Sequence, residues 1–294
     1  MNVSRRGVLT GAGGALVAVA AAGLAVDEGW LPGKYRIRRA LGLTGPAGHI
    51  PDVPPGKVVS GTFVSRDRLG KQVGWSVIYP GRRTQRLPVM VSLHRLGGDH
   101  TTAVTELGMD RFLPAAVAAG VPPFAIATVD GGTTYWHPRP SGEDAGGMVL
   151  DELLPRLDDA GLDTSRLAFQ GWSMGGYGAL RLAGLVGAQR VRAVAALSPA
   201  LWTDPADASS DGFSDATEYR RYSVMGHQAD LDGIPVRVDC GREDPFYPAD
   251  RSYVDGFDRP VTSTFEEGAH DAAYWTRMVP AQLAFVGRSL RSGE

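Results

Sequence analysis

Cysteine is nearly absent: Cys240 is the single one in 294 residues. It permits no disulfide within the chain and cannot supply a multi-cysteine zinc site, so stability has to come from an ordinary hydrophobic core. Net charge is nearly absent too, at -2 from 30 Lys and Arg against 32 Asp and Glu. That balance leaves no electrostatic footprint for nucleic acid, which is not expected as a partner. Internal repeats are missing, and the composition is neither collagen-like nor disordered. With 43% hydrophobic residues, a chain of this length can bury a substantial core.

The charge is balanced only on average. Arg5, Arg6, Lys34, Arg36, Arg38 and Arg39 face only Asp27 and Glu28 in the first 39 residues. The paired arginines precede an uncharged run from Gly7 to Val26, made mostly of Ala, Gly, Val and Leu. A basic start followed by an apolar stretch is the layout of an export signal, and the arginine pair resembles the twin-arginine type. Residues 1–26 are therefore read as a twin-arginine-type signal or a membrane anchor. Cleavage after Ala25 would release the chain. If retained, the run approaches the roughly 20 apolar residues that span a bilayer and would give membrane association through the N-terminal segment. Either way the protein is expected to be exported, secreted or held at the cell envelope. Residues 27–57, dense in Pro and Gly, read as an extended linker. Residues 58–294 remain for one folded domain.

Beyond Gly56, short β-rich runs alternate with helical ones. Strands are predicted at Val58–Val64, Val73–Tyr79, Val89–Leu93, Phe124–Val129, Leu167–Gly171, Val191–Leu197, Pro235–Val238 and Val261–Phe265. Their near-continuous apolar character suits strands covered on both faces. Helices are predicted at Asp110–Ala119, Gly147–Ala160, Met174–Gly187, Ala249–Phe257 and Asp271–Leu290. The alternation predicts an α/β fold, a mostly parallel central sheet of about eight strands flanked by helices, with an antiparallel start.

After the fifth strand the chain reads Gly171-Trp172-Ser173-Met174-Gly175-Gly176 and continues into a predicted helix. This is G-x-S-x-G in the strand, turn and helix context that holds a nucleophilic serine on a strained bend. A serine hydroxyl is a weak nucleophile and needs a base, normally a histidine oriented by a carboxylate. On this fold the order is serine, acid, histidine. Of six histidines, only His270 lies after the last strand, where the base belongs. The acid falls in the loop after the seventh strand, Gly241-Arg242-Glu243-Asp244-Pro245-Phe246. Asp244 is the first choice, Glu243 its adjacent rival, and Asp239 is expected to lie still within the strand. Oxyanion donors are expected from the backbone N–H of Met174 and from the loop His94-Arg95-Leu96-Gly97-Gly98, where either Leu96 or Arg95 presents the second.

The Ser173 elbow, the Gly241 to Phe246 loop and Glu267-Gly268-Ala269-His270 followed by Tyr274-Trp275 resemble the putative-esterase branch of α/β-hydrolases. That branch includes esterase D (S-formylglutathione hydrolase) and the mycobacterial mycolyltransferases. Tyr135-Trp136 and Glu152-Leu153-Leu154-Pro155 fit its middle region, so the likeness spans about Val58 to Leu290. The resemblance implies an α/β-hydrolase fold, a Ser173, Asp244 and His270 triad, and Leu96 with Met174 as oxyanion donors. Two departures stand out. The mycolyltransferases carry Asp-Gly-Leu where this chain has His94-Arg95-Leu96, and the acid there helps to hold their sugar. Their triad acid is Glu, where this chain offers Asp.

Other signals are weaker. Asp99-His100 beside His94 lacks any H-E-x-x-H spacing, so no metal is expected, and no cofactor. Neighbouring carboxylates such as Asp151-Glu152 do not face one site from adjacent helical positions. Tyr135, His137 and Trp202, and above all Trp136, Phe246 and Trp275, are candidates to line an acyl or alcohol pocket. The irregular stretch Trp202–Gln228 sits where hydrolases of this fold carry a cap, and is expected to act as a lid or a surface excursion. The expected function is a serine carboxylic-ester hydrolase acting on a small-molecule or lipid ester through an acyl-enzyme at Ser173. The alternatives are a cell-envelope acyltransferase with the same chemistry and a non-catalytic exported binding protein on a hydrolase fold.

Overall fold

The computed structural model describes residues 38, 41–81 and 86–291. The chain divides into two compact units, Met1–Gly45 and Pro46–Glu294. In the first unit, the Leu43 N–H donates to the Arg38 carbonyl at 2.8 Å. The expected signal or anchor over 1–26 lies outside the described residues. Among the described residues no helix is long and apolar enough to cross a membrane.

The second unit is built on one eight-stranded sheet: β1 (Lys57–Ser65), β2 (Lys71–Tyr79), β3 (Pro88–Leu93), β4 (Ala125–Val129), β5 (Asp163–Trp172), β6 (Val191–Leu197), β7 (Val236–Gly241) and β8 (Thr262–Glu266). The spatial order is β1-β2-β4-β3-β5-β6-β7-β8. β1 and β2 pair antiparallel, β2 joins β4 antiparallel, and every later pairing is parallel. β1 lies on the edge and alternates between covered and exposed residues, whereas all six residues of β3 are buried. Strand residues sort by period two onto two apolar layers. Val77, Val89, Val91 and Ala127 belong to one layer, and Ile78, Met90, Ile126 and Ala168 to the other.

Helices cover both layers: α1 (Met109–Ala118), α2 (Leu154–Asp159), α3 (Met174–Val186), α4 (Ala216–Tyr222), α5 (Tyr247–Asp255) and α6 (Ala272–Arg291). In α6 the buried residues Trp275, Met278, Val279, Leu283, Val286 and Leu290 recur at helical spacing and give the helix its core-facing stripe. The single helix predicted over Gly147–Ala160 is instead a short turn at Ala145–Gly147, a π-helical turn at Met148–Leu153, and α2. Pro155 has no N–H to give to the carbonyl four residues back, so the regular ladder cannot run through.

The domain also starts earlier than the expected Val58. Residues 46–56, read from sequence as linker, are fastened to it. The Gly48 N–H donates to the Ala273 carbonyl at 2.7 Å, and that of Gly56 to Asp110 at 2.6 Å. Arg111 Nη1 donates to the Val53 carbonyl at 2.7 Å. Proline and glycine here shape a strap along the surface rather than leaving it loose.

Candidate active site

The parallel strands end on one edge of the sheet, and the strained residues gather there. Five non-glycine residues among those described have positive φ: Leu69, Tyr135, Trp136, Ser173 and Ser198. Four of these follow β4, β5 or β6 directly or within a short loop. Observed strain of this kind points to a functional edge. Ser173 has φ 56° and ψ -123° between β5 and α3. Its N–H donates to the Leu197 carbonyl at 3.0 Å, and its own carbonyl accepts from Gly176, Tyr177 and Ala200. Glycine is required beside it: a Cβ on Gly175 would sit 1.9 Å from the Leu93 carbonyl oxygen, and one on Gly171 2.2 Å from that of Gly175. Only then can the turn close tightly enough to hold the bend.

His270 stands in the loop between β8 and α6. Its Nε2 is 2.9 Å from Ser173 Oγ, and its Nδ1 is 2.8 Å from Asp244 Oδ2. The Asp244 side chain is fully buried and Ser173 nearly so, while the side chain of His270 is 24% exposed, so the relay meets solvent at its histidine. Asp244 is set by a turn in which its N–H bonds the Gly241 carbonyl at 3.1 Å, while its Oδ1 accepts the Phe246 N–H at 2.9 Å. Glu243, the rival acid, points elsewhere: its Oε2 accepts the Gly268 N–H at 3.1 Å and so braces the histidine loop. Asp239 lies within β7 and takes Arg237 and Gln282 as partners. The three expected residues are therefore brought together and both rivals are turned away.

Met174 opens α3, and the N–H of a first helical residue has no carbonyl a turn behind it to bond. With the positive end of the helix, it is placed for a developing oxyanion. Leu96 is partly buried in the loop after β3, within a turn closed by the Gly98 N–H to the Arg95 carbonyl at 3.0 Å.

The aromatic expectations divide. Phe246 is partly exposed and meets the His270 ring edge-on at 5.1 Å. Trp202, also partly exposed, meets Phe246 at 5.3 Å. Trp136, by contrast, is fully buried against His94, and the nearly buried Trp275 backs His270 from the core at 5.0 Å. Neither offers a surface that a substrate reaches, which corrects the pocket expectation for both. Trp136 sits in a turn, where sequence periodicity cannot say which way an aromatic points, whereas Trp275 falls on the core-facing stripe of α6. The large cavity of about 810 Å³ lined by Val53, Pro54, Tyr79, Pro80, Pro114 and Ala118 lies at the opposite end of the parallel strands and has no part in this site.

Two features escaped the sequence reading. Asp250 on α5 is fully buried, and burial together with the Asp244 charge pushes its carboxyl well above the usual carboxylate range. A lone Asp in a helix carries no signal of that. The other is Asp130, which joins the Asp99-His100 pair so that the ligand atoms of all three lie within 4.8 Å of one another. Three of their four carboxylate oxygens hold loop groups: Asp130 Oδ1 the His100 N–H and ring, Asp130 Oδ2 the Gly74 N–H, and Asp99 Oδ1 the Thr101 N–H. The cluster fastens loops.

A sequence model of the family described as "Putative esterase" matches residues 67–285. No curated protein sequence matches the chain. Among solved structures, one described as a ferulic acid esterase is similar at 22% identity and a TM-score of 0.70, covering 80% of this chain and 100% of its own. An S-formylglutathione hydrolase from Agrobacterium tumefaciens is similar at 18% identity and 0.68, covering 84% and 100%. MPT51 of Mycobacterium tuberculosis follows at 14% identity and 0.63, covering 81% and 100%. At these identities the likeness is one of fold, and the fold is that of the α/β-hydrolases.

Proposed function

We propose, from the premise that this chain belongs to the "Putative esterase" family and is a serine-type esterase, that it cleaves carboxylic esters through an acyl-enzyme at Ser173. The observation that carries the reading is the continuous relay from Asp244 through His270 to Ser173, at 2.8 and 2.9 Å. His270 Nε2 takes the Ser173 proton as Oγ attacks the ester carbonyl carbon. Asp244 holds the Nδ1 proton and steadies the imidazolium that forms. The Met174 and Leu96 N–H groups support the tetrahedral oxyanion, each such donor being worth about 10² to 10³ in rate. Collapse sends the proton from His270 to the leaving alcohol. Water, deprotonated by His270, then releases the acid and restores Ser173.

Transfer of the acyl group to a sugar or lipid hydroxyl would share every step up to the acyl-enzyme. The likeness to MPT51 is one of fold, and the acid found in the sugar site of mycolyltransferases is replaced here by His94-Arg95. Hydrolysis is therefore preferred. The test treats the full chain with a fluorophosphonate and a p-nitrophenyl ester series, with and without sugar acceptors, beside Ser173→Ala. Labelling and turnover should both disappear in Ser173→Ala. An unlabelled wild-type serine would return the protein to a non-catalytic binding role, and an acyl-sugar product would promote the transferase.

A further inference from the structure

The loop after β3 is braced more heavily than a surface turn needs, and the braces converge on Leu96. Below it, the Arg95 carbonyl accepts from the Gly98 N–H at 3.0 Å and faces His94 Nδ1 at 2.7 Å. Because a trans peptide is planar with its C=O and N–H opposed, fixing that carbonyl fixes the direction of the Leu96 N–H. His94 Nε2 accepts the Gly131 N–H at 2.9 Å, so the ring carries its proton on Nδ1 and ties the loop to the chain after β4. Burial pushes the imidazole below its ordinary range and keeps that neutral form.

Above it, the Leu96 carbonyl accepts from Arg95 Nη1 at 2.9 Å. The same guanidinium gives Nε to Glu106 Oε2 at 2.9 Å and Nη2 to Glu106 Oε1. The peptide groups on either side of Leu96 are thus each held by their oxygen. A lone surface ion pair contributes about 0 to 1 kcal/mol. This one is about two-thirds buried, with 31% and 28% of its side chains exposed, and it reaches the backbone of an expected oxyanion donor. The planar, forked guanidinium is suited to meet a carboxylate with two N–H groups and a carbonyl with a third.

We propose that Arg95 and Glu106 are positioning residues: Glu106 aims the Arg95 guanidinium onto the Leu96 carbonyl, which fixes the Leu96–Gly97 peptide, and with the Arg95–Leu96 peptide held through the Arg95 carbonyl the backbone about Leu96 cannot turn, so its N–H is set before the oxyanion forms. The inference rests on the Ser173 acyl-enzyme reading. Its contribution belongs to the transition state, since a donor aimed at developing charge acts on turnover rather than on substrate capture.

The test measures kcat and KM for p-nitrophenyl acetate, inhibition by a phenylboronic acid, and thermal unfolding. Arg95→Ala, Arg95→Lys, Glu106→Ala, Glu106→Gln and the double alanine variant are compared with wild type. A misplaced donor should lower kcat by about tenfold to a hundredfold, with KM within about twofold. Boronic acid affinity should fall in step with kcat/KM, because the boronate adduct is tetrahedral. The double variant should be no worse than Arg95→Ala, Arg95→Lys should recover only part of the loss, and added guanidinium should partly restore Arg95→Ala. If Arg95→Ala does not fold, Glu106→Gln carries the same comparison. Lowered unfolding temperature with unchanged kcat would overturn the proposal, as would a raised KM alone. Retained activity in Ser173→Ala would instead sink the nucleophile reading, so the two failures are distinguishable.

Discussion

At His270 each ring nitrogen faces a different oxygen, and that decides between two adjacent acids. Asp244 Oδ2 lies 2.8 Å from Nδ1, while Glu243 Oε2 takes the Gly268 N–H. One carboxylate orients the His270 ring and the other supports the loop that carries it. Asp244→Asn should therefore lower kcat for a p-nitrophenyl ester by about 10³ to 10⁴, since the amide favours the wrong imidazole tautomer. Glu243→Gln, which keeps an oxygen to accept from Gly268, should stay within about tenfold of wild type. Equal losses in the two variants would contradict the assignment. The sequence placed both acids in the same loop and put Asp244 first, with Glu243 left as its rival. What separates them is the turn from Gly241, which swings consecutive side chains in different directions. Ser173 and His270 were legible because their glycine pattern and chain position leave few alternatives. The burial of Trp136 was not legible, because it sits in a turn where no periodicity fixes a face, whereas that of Trp275 could have been read from its place on the apolar stripe of α6.

Among the elements, the strands were readable to within a few residues wherever apolar runs end at glycine or proline, but α4 was hidden in the polar stretch Trp202–Gln228. Its signal was present. Asp215 accepts from the Thr217 and Glu218 N–H groups as an N-cap, and the D-x-x-E spacing marks a helix start. The segment before α4 is packed, not loose. Phe213 is buried, and His137 Nε2 lies 2.8 Å from the Gly212 carbonyl, with Nδ1 2.9 Å from that of Pro138. The ring is stacked between Phe213 and Tyr222, with Tyr177 at its edge, and Glu218 Oε1 lies 4.0 Å from Nδ1. Burial, opposed by the two carbonyls and assisted by Arg139 and Arg181, pushes its pKa down to about 4. A histidine depressed in the folded state is protonated first in the unfolded state, so stability falls as pH drops from about 6.5 to about 4. Between pH 7 and pH 5 this one group should cost about 2 kcal/mol. His137→Gln keeps a donor for one carbonyl but cannot titrate, so denaturant unfolding at the two pH values should show a fall smaller by about that amount. The same fall in both proteins would exclude His137 as its source.

For the whole molecule, the question is where the hydrolase domain begins. Composition placed the boundary at Val58 because proline and glycine are dense before it. Density of turn residues reports backbone shape, however, and not whether other groups hold that backbone. Here Gly48 and Gly56 each give a backbone hydrogen bond to the domain, and Arg111 and Arg277 reach the carbonyls of Val53 and Pro46. Ile50 packs against the apolar layer under α1 and α6. Arg277 also bonds the Glu267 carbonyl, which links the start of the strap to the loop that carries His270. The backbone bonds, the two arginine contacts and the half-buried isoleucine hold the strap against the entropy of ordering it. In a domain of this size each net 1 kcal/mol corresponds to about 2 to 4 °C in unfolding temperature. A chain beginning at Pro46 should therefore unfold at a measurably higher temperature than one beginning at Val58. The shorter one should also turn over esters more slowly, because Arg277 loses one of the carbonyls between which it is held. If both chains unfold at the same temperature, the strap contributes nothing and residues 46–57 are a linker after all.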